Sequence, residues 1–227
     1  LQTGIRKRLL LDAPRDIVGV VTLSDGLERH LDFSLTEHHI VDTVDAHDGT
    51  DGSDILVFGN HDKSYRSTMA DMAAEGLSGT RKNGAGNIIA ELTKNGVIVL
   101  QDESVLIDDS IYVIGRQDFN QSRLSMERLI AGLDSDKYMI VLDHQPRDYE
   151  AQAAAKVDLV LSGHTHGGIA PGICQIVARH NAGYSRGIYR YGKSILYVCP
   201  GCGQWAGFPM RFFNDSEVTL ITLRRGI

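Results

Sequence analysis

Three short apolar runs in this chain are each followed by polar residues that can bind a metal ion. The runs and the residues that follow them are 55–58 before Asn60 and His61, 139–142 before His144, and 157–161 before His164 and His166. Neutral imidazole is the commonest side-chain metal ligand. Buried strands that end in such residues can deliver them to one edge of a sheet. The pattern therefore predicts a metal site at the carboxyl ends of several strands.

The composition is that of an ordinary globular protein and argues against a nucleic-acid partner. The chain has 227 residues, 42% of them hydrophobic and 23% charged, with a formal net charge of -6. Its basic clusters, 6–8 and 224–225, lie near the two ends and form no stripe. No apolar stretch reaches the roughly 20 residues that span a bilayer, and no signal-peptide pattern opens the sequence. Because the sequence begins with Leu1, an anchor upstream of it would not be visible.

The three cysteines do not form a recognisable redox or zinc motif. An odd number of cysteines disfavours a disulfide framework. Cys199 and Cys202 have the spacing of a redox pair, but they follow a predicted strand, whereas a redox pair normally opens a helix. We interpret this segment as a tight turn that contains two thiols.

Short apolar runs alternate with helical segments, which predicts an α/β architecture in a single domain, 1–227. A β-branched run ending in Asp25 predicts a strand over 16–25, and an apolar stripe predicts a helix over 27–47. A short helix is expected over 67–75, within the polar stretch 63–87. The remaining predicted helices are 88–95, which Gly96 ends, 123–133 and 150–156. The remaining predicted strands are 97–100, 104–107 and 111–115, expected to be antiparallel, and 187–191, 194–198 and 217–223.

The ordered set of motifs resembles the calcineurin-like metallophosphoesterases. It consists of Gly59-Asn60-His61-Asp62, then His144, then Gly163-His164-Thr165-His166, with Asp25 matching the acid that opens the family pattern. Segments 143–146 and 208–223 are similar to a bacterial branch whose members are often membrane-associated. The resemblance covers nearly all of the chain from about Ile17 onward. It implies a four-layer α/β/β/α metallophosphoesterase sandwich.

The resemblance also implies a dinuclear metal centre and assigns its residues. Two divalent ions, manganese, iron or zinc, would neutralise the phosphate charge, and a metal-bound hydroxide would attack the phosphorus. Asp25 and His166 would bind the first ion, and Asn60, His144 and His164 the second. His61 would be the general acid at the leaving oxygen, with Asp62 holding its other ring nitrogen.

The implied substrate is a small-molecule or lipid-linked phosphoester, with a phosphodiester or a pyrophosphate favoured over other esters. The branch resemblance implies membrane association through a segment that is not in this sequence. A cytoplasmic and a membrane-associated location both stay open.

Two family motifs are missing from the sequence. Leu27 stands where the family has a histidine, and no Gly-Asp-x-x-Asp motif supplies the acid that bridges the two ions. Either residues are omitted between the segments of the printed sequence, which we favour, or the chain has lost these ligands. The nearby candidates for replacement are His30, Asp45, His47, Asp48 and Asp51. Loss of the ligands predicts a catalytically degenerate binding or scaffold protein, or a single-metal hydrolase built from Asn60, His144 and His164.

Overall fold

The structure is a computed structural model, and it forms fourteen strands in the part of the chain that it describes. The described residues are 5–9, 22–23, 27–28, 31–34, 42–46, 53–57, 85–94, 96–107, 109–119, 122–168, 170, 172–201, 212, 217–221 and 223. The strands are β1 Ile5–Leu9, β2 Thr22–Leu23, β3 Leu27–Glu28, β4 Leu31–Ser34, β5 Asp42–Ala46, β6 Ser53–Val57, β7 Ile98–Val99, β8 Glu103–Ile107, β9 Ile111–Gly115, β10 Tyr138–Leu142, β11 Leu159–Ser162, β12 Gly187–Tyr191, β13 Ser194–Val198 and β14 Glu217–Ile221.

Four α-helices and one 3₁₀ turn complete the described secondary structure. They are α1 Ala85–Lys94, α2 Met126–Leu129, α3 Tyr149–Ala154, α4 Ile173–His180 and the 3₁₀ turn His166–Gly168. Among the described residues, no helix combines the length and the apolar composition that crossing a bilayer needs.

Twelve of the strands form two mixed six-stranded sheets. The first sheet has the order β1-β14-β4-β5-β6-β7, and the second has the order β12-β13-β11-β10-β9-β8. In the second sheet the four central strands, β13, β11, β10 and β9, are parallel, and an antiparallel strand closes each edge. Parallel strands have both faces covered in stable folds. Accordingly β10, β11 and β13 are apolar at nearly every position.

Two apolar cores cover the two faces of the second sheet. One core joins the two sheets, with Ile55 and Ile221 from the first sheet packed among residues such as Ile140 and Leu159 from the second. The other core lies between the second sheet and its helices, where Met126 and Tyr149 pack on strand residues. Helix α1 contacts β7 of the first sheet. These layers agree with the α/β class and with a metallophosphoesterase sandwich.

The sequence prediction of a helix over 27–47 is wrong. The structure has the strands β3, β4 and β5 in this segment. Strand β4 pairs with β14, where Phe33 lies opposite Thr219, and β5 pairs with β6. The local spacing of apolar residues suggested a helix, but pairing with a strand almost 190 residues later decides the conformation.

Most predicted elements after residue 85 are confirmed, with shifted bounds. Helix α1 ends at Lys94, and Gly96 follows with a φ of 85°. The helix predicted over 123–133 is confirmed only as the single turn α2, and α4 has no counterpart in the sequence predictions. Strands β8 and β9 are antiparallel as expected, but β7 pairs in parallel with β6 of the other sheet. The predicted helix within 67–75 lies outside the described residues, as does the predicted strand over 16–25 except for β2.

Gly115, the last residue of β9, allows the two sheets to approach closely. A Cβ atom at this position would lie 2.2 Å from the Leu100 Cβ and 2.8 Å from the Val57 Cγ1. Val57 ends β6, and Gly115 pairs with Leu142 at the end of β10. The close approach therefore sets the carboxyl end of β6 beside the carboxyl ends of β9 and β10.

We predict that Gly115→Ala lowers the free energy of unfolding by about 1–3 kcal/mol or more, because the added methyl overpacks the interface between the sheets. Urea denaturation monitored by circular dichroism measures the change. In a double-mutant cycle, Leu100→Gly should absorb part of this cost, so that the combined loss is smaller than the sum of the single losses. Strict additivity would contradict the proposed contact.

Candidate metal centre

Two of the predicted metal ligands meet because their strands are adjacent and parallel. Strands β10 and β11 pair with Leu142 opposite Leu161, and His144 and His164 each come two residues after the end of their strand. The pairing continues past the strands. The Asp143 N–H donates to the Leu161 carbonyl at 3.0 Å, and the Gly163 N–H donates to the His144 carbonyl at 3.1 Å. The two loops therefore leave the sheet side by side.

The two imidazole rings are in direct contact. The His164 Nδ1 lies 3.3 Å from the His144 Nε2, and the ring centroids are 5.1 Å apart with the planes at 73°. The His144 side chain is buried and that of His164 is partly buried. At this distance one ring nitrogen can donate a hydrogen bond to the other, or both can face a common ligand.

The donor set of this pair fits a divalent metal ion. Imidazole nitrogens bind zinc at about 2.0–2.1 Å, so two of them around one tetrahedral ion lie about 3.4 Å apart. The observed 3.3 Å separation is compatible with that spacing. Among the described residues, no group of three His, Cys, Asp or Glu side chains forms a complete metal site. A metal site at this pair would therefore need further ligands.

The segment that carries His164 has an unusual backbone. His164, His166, Gly167 and Gly168 all have positive φ angles, of 67°, 50°, 62° and 78°. Non-glycine residues in this region are uncommon and cluster at functional sites. Gly168 is also required by packing, because a Cβ atom on it would lie 2.3 Å from the Cα of Cys174 in α4. The His-x-His turn is therefore compact and closely packed against α4.

Three of the seven residues predicted for the site lie in the described part of the chain. The structure brings His144 and His164 together, and it places the half-buried His166 in the 3₁₀ turn two residues further on. The other four, Asp25, Asn60, His61 and Asp62, lie outside the described residues.

Asp143, which precedes His144, is bonded to other side chains. Its carboxylate is fully buried and accepts hydrogen bonds from the Arg123 Nη1 at 3.1 and 3.2 Å and from the Gln152 Nε2 at 2.6 Å. Arg123 also forms an ion pair with Asp148. One guanidinium therefore holds both ends of the loop that carries His144.

The charges around Arg123 keep it protonated. Burial by itself lowers the pKa of its guanidinium, but the negative charge of Asp143 and the hydrogen bond and charge of Asp148 outweigh burial and raise it. A buried carboxylate needs such a partner, since an unpaired charge in the interior is very costly.

A second arginine extends this buried network and was not identified from the sequence. Arg116 is 3% exposed, donates to the Leu124 carbonyl at 3.0 Å and lies 3.7 Å from Asp148. Asp102 accepts the backbone N–H groups of Gln117 and Leu124 at 3.0 and 2.8 Å. The only indication of these arginines in the sequence was the pair of acids at 143 and 148, on either side of the predicted ligand His144, which would need cationic partners if buried.

Gln145 and Asp118 add a further buried contact beside the histidine pair. Gln145 is 1% exposed, and its Nε2 donates to the Asp118 Oδ1 at 2.7 Å. This bond ties the loop that carries His144 to the segment after β9. The position of His144 therefore depends on several polar contacts on both sides of it.

We predict that Arg123→Met lowers the free energy of unfolding by roughly 3–5 kcal/mol, because it removes the cation that is hydrogen-bonded to the buried Asp143 carboxylate. Urea denaturation measures the loss. The matched control is Lys137→Met, which removes a cation from the exposed pair with Asp109 and should leave stability nearly unchanged. Equal effects of the two substitutions would contradict the role given to Arg123.

Comparison with known proteins identifies the family of this chain. The family model described as calcineurin-like phosphoesterase matches residues 26–168, more than half of the chain. An uncharacterized metallophosphoesterase of Aquifex aeolicus is 35% identical over 141 residues, which cover 59% of this chain and 53% of the relative. The uncharacterized metallophosphoesterase YkuE of Bacillus subtilis is 27% identical over 75% of this chain and 56% of its own length.

A vertebrate relative is also similar. A zebrafish protein named as a transmembrane protein with metallophosphoesterase domain is 33% identical over 45% of this chain and 24% of its own length. The chain thus spans about half the length of its Aquifex relative and less of some others, and no solved structure gives a significant match. The match of the family model, together with the relatives, shows that this chain belongs to the calcineurin-like phosphoesterase family.

Proposed function

We propose that this chain is a metal-dependent phosphohydrolase whose metal centre lies at the carboxyl ends of β6, β10 and β11. The observation that carries the proposal is the 3.3 Å contact between ring nitrogens of His144 and His164, on adjacent strand ends. Membership of a phosphoesterase family that generally uses divalent metals supports it.

We further propose that the centre is dinuclear, with His144, His164 and Asn60 holding one ion and Asp25 and His166 holding the other. Support for including Asn60 comes from its strand. Val57, three residues earlier, lies at the end of β6 and beside Gly115, which pairs with the last residue of β10. The chain therefore leaves β6 beside the strand end that precedes His144.

Phosphate esters resist hydrolysis because their anionic oxygens repel an incoming nucleophile. Divalent ions in this family site would neutralise that charge and activate the attacking water. The neutral amide of Asn60 would keep the negative charge of the ligand set low, which favours an anionic substrate. His61 would donate a proton to the leaving oxygen, and Asp62 would hold its other ring nitrogen and keep it protonated.

The substrate that we propose is a phosphodiester or a pyrophosphate. The similarity of segments 143–146 and 208–223 to a bacterial branch whose members are often membrane-associated favours a substrate carried by a lipid. Comparing bis-p-nitrophenyl phosphate with p-nitrophenyl phosphate separates a diesterase from a monoesterase, and faster hydrolysis of the diester is expected.

We predict that His144→Ala and His164→Ala each abolish manganese-dependent hydrolysis of bis-p-nitrophenyl phosphate while the circular dichroism spectrum stays that of the parent chain. The reason is the loss of one imidazole ligand from an ion that needs both. The matched control is His180→Ala, an exposed histidine at the end of α4, which should retain full activity. Full activity in either site variant would refute the proposal.

A second candidate function is a non-catalytic scaffold that keeps the fold. It is favoured by Leu27 in place of the family histidine and by the missing Gly-Asp-x-x-Asp motif. Metal analysis by inductively coupled plasma mass spectrometry after manganese loading distinguishes the candidates. Two ions per chain support the dinuclear enzyme, one supports a single-metal hydrolase, and none supports the scaffold.

A further inference from the structure

We propose that Thr165 is a positioning residue, which holds the His164–His166 turn in the conformation that binds metal. The inference rests on the metal centre proposed above and concerns a residue between its two histidines. Thr165 is 3% exposed, so its hydroxyl is shielded from water and must find partners within the protein.

The hydroxyl of Thr165 makes two hydrogen bonds that use its donor and an acceptor lone pair. It donates to the carbonyl of Ser185, and it accepts the N–H of Gly167 at 3.3 Å. The first bond ties the turn to a segment twenty residues later. The second closes the turn locally over His166. The Thr165 side chain thus bonds both to the backbone within the histidine turn and to a distant segment.

This hold matters because the turn is strained. The two histidines have φ angles of 67° and 50°, in the left-handed region that is unfavourable for an L-residue with a side chain. Such conformations persist only where surrounding contacts over-determine them. The described contacts of this turn with a distant segment include the bond from Thr165 to Ser185.

The Ser185 peptide is itself bonded to an aromatic cluster. Its N–H donates to the Tyr189 hydroxyl at 3.1 Å. The Tyr189 ring packs edge to face on Tyr184 at 4.8 Å between centroids, and Tyr184 packs on Tyr149 at 5.7 Å. Tyr149 is 1% exposed and donates to the Ser194 carbonyl at 2.6 Å. The anchor for Thr165 is therefore connected through three aromatic rings to the core.

The test measures Mn²⁺ affinity of the 227-residue chain by isothermal titration calorimetry. Thr165→Val keeps the size of the side chain but removes the hydroxyl, and it should weaken Mn²⁺ binding about tenfold or more, as losses around a metal site commonly do. Thr165→Ser keeps the hydroxyl and should bind near the parent affinity. Tyr189→Phe should weaken binding in the same direction by less. The matched control, Tyr191→Phe, changes an exposed ring two residues away and should have no effect.

Two further readouts separate positioning from a general loss of stability. Hydrolysis of bis-p-nitrophenyl phosphate by Thr165→Val should recover toward the parent rate at excess Mn²⁺. The rates are compared at a temperature at which circular dichroism shows the metal-free variant to be folded, so that stabilisation of the fold by the ion does not account for the recovery. Val157→Ala, a core substitution before the amino end of β11, should lower the melting temperature without metal but keep the parent affinity for Mn²⁺, whereas Thr165→Val should lose affinity. Parent-like affinity in Thr165→Val would overturn the positioning role alone, while absence of Mn²⁺ binding by the parent chain would overturn the metal centre with it.

Discussion

The parallel pairing of β10 and β11 is the constraint on which the candidate site depends. Adjacent parallel strands end at the same edge of a sheet, so residues at equal distances past their ends start close together. Here the backbone hydrogen bonding between β10 and β11 continues past the strand ends, from the Asp143 N–H to the Leu161 carbonyl and from the Gly163 N–H to the His144 carbonyl. This continuation brings the ring nitrogens of His144 and His164 to 3.3 Å. Without that register, two histidines twenty residues apart in sequence would have no reason to meet.

Buried ion pairs fix the conformation of the loop that carries His144. Asp143 has no exposed surface, and a carboxylate in that position is tolerable only with a cation and hydrogen-bond donors around it. Arg123 meets this requirement and at the same time binds Asp148, at the far end of the loop. Polar contacts thus fix the loop that carries His144, and the neighbouring histidine turn has a strained backbone. Backbone strain and supporting polar contacts, in addition to apolar packing, are common around functional sites.

The sequence was informative about the strands of the second sheet and about the identity of the family. Apolar runs such as 139–142 and 194–198 are long enough and apolar enough to predict buried strands, and the structure confirms both. The same reasoning failed for 27–47, because the partner of β4 is a strand near the end of the chain. It also missed α4, which contributes no buried residue. Helix α4 has 8 residues, fewer than the roughly 11–18 over which helical periodicity is recognised in a sequence.

The sequence by itself determined the kinds of candidate ligand and their order, because His-x-His and Gly-Asn-His-Asp each follow an apolar run and carry side chains that can bind a metal ion. Only the tertiary structure decided that Asp143 is bound to Arg123, that Gly115 lets two sheets approach, and that Thr165 reaches Ser185. Each of these contacts joins residues fifteen or more positions apart in the sequence. Their proximity follows from strand pairing and packing, which local sequence patterns do not encode.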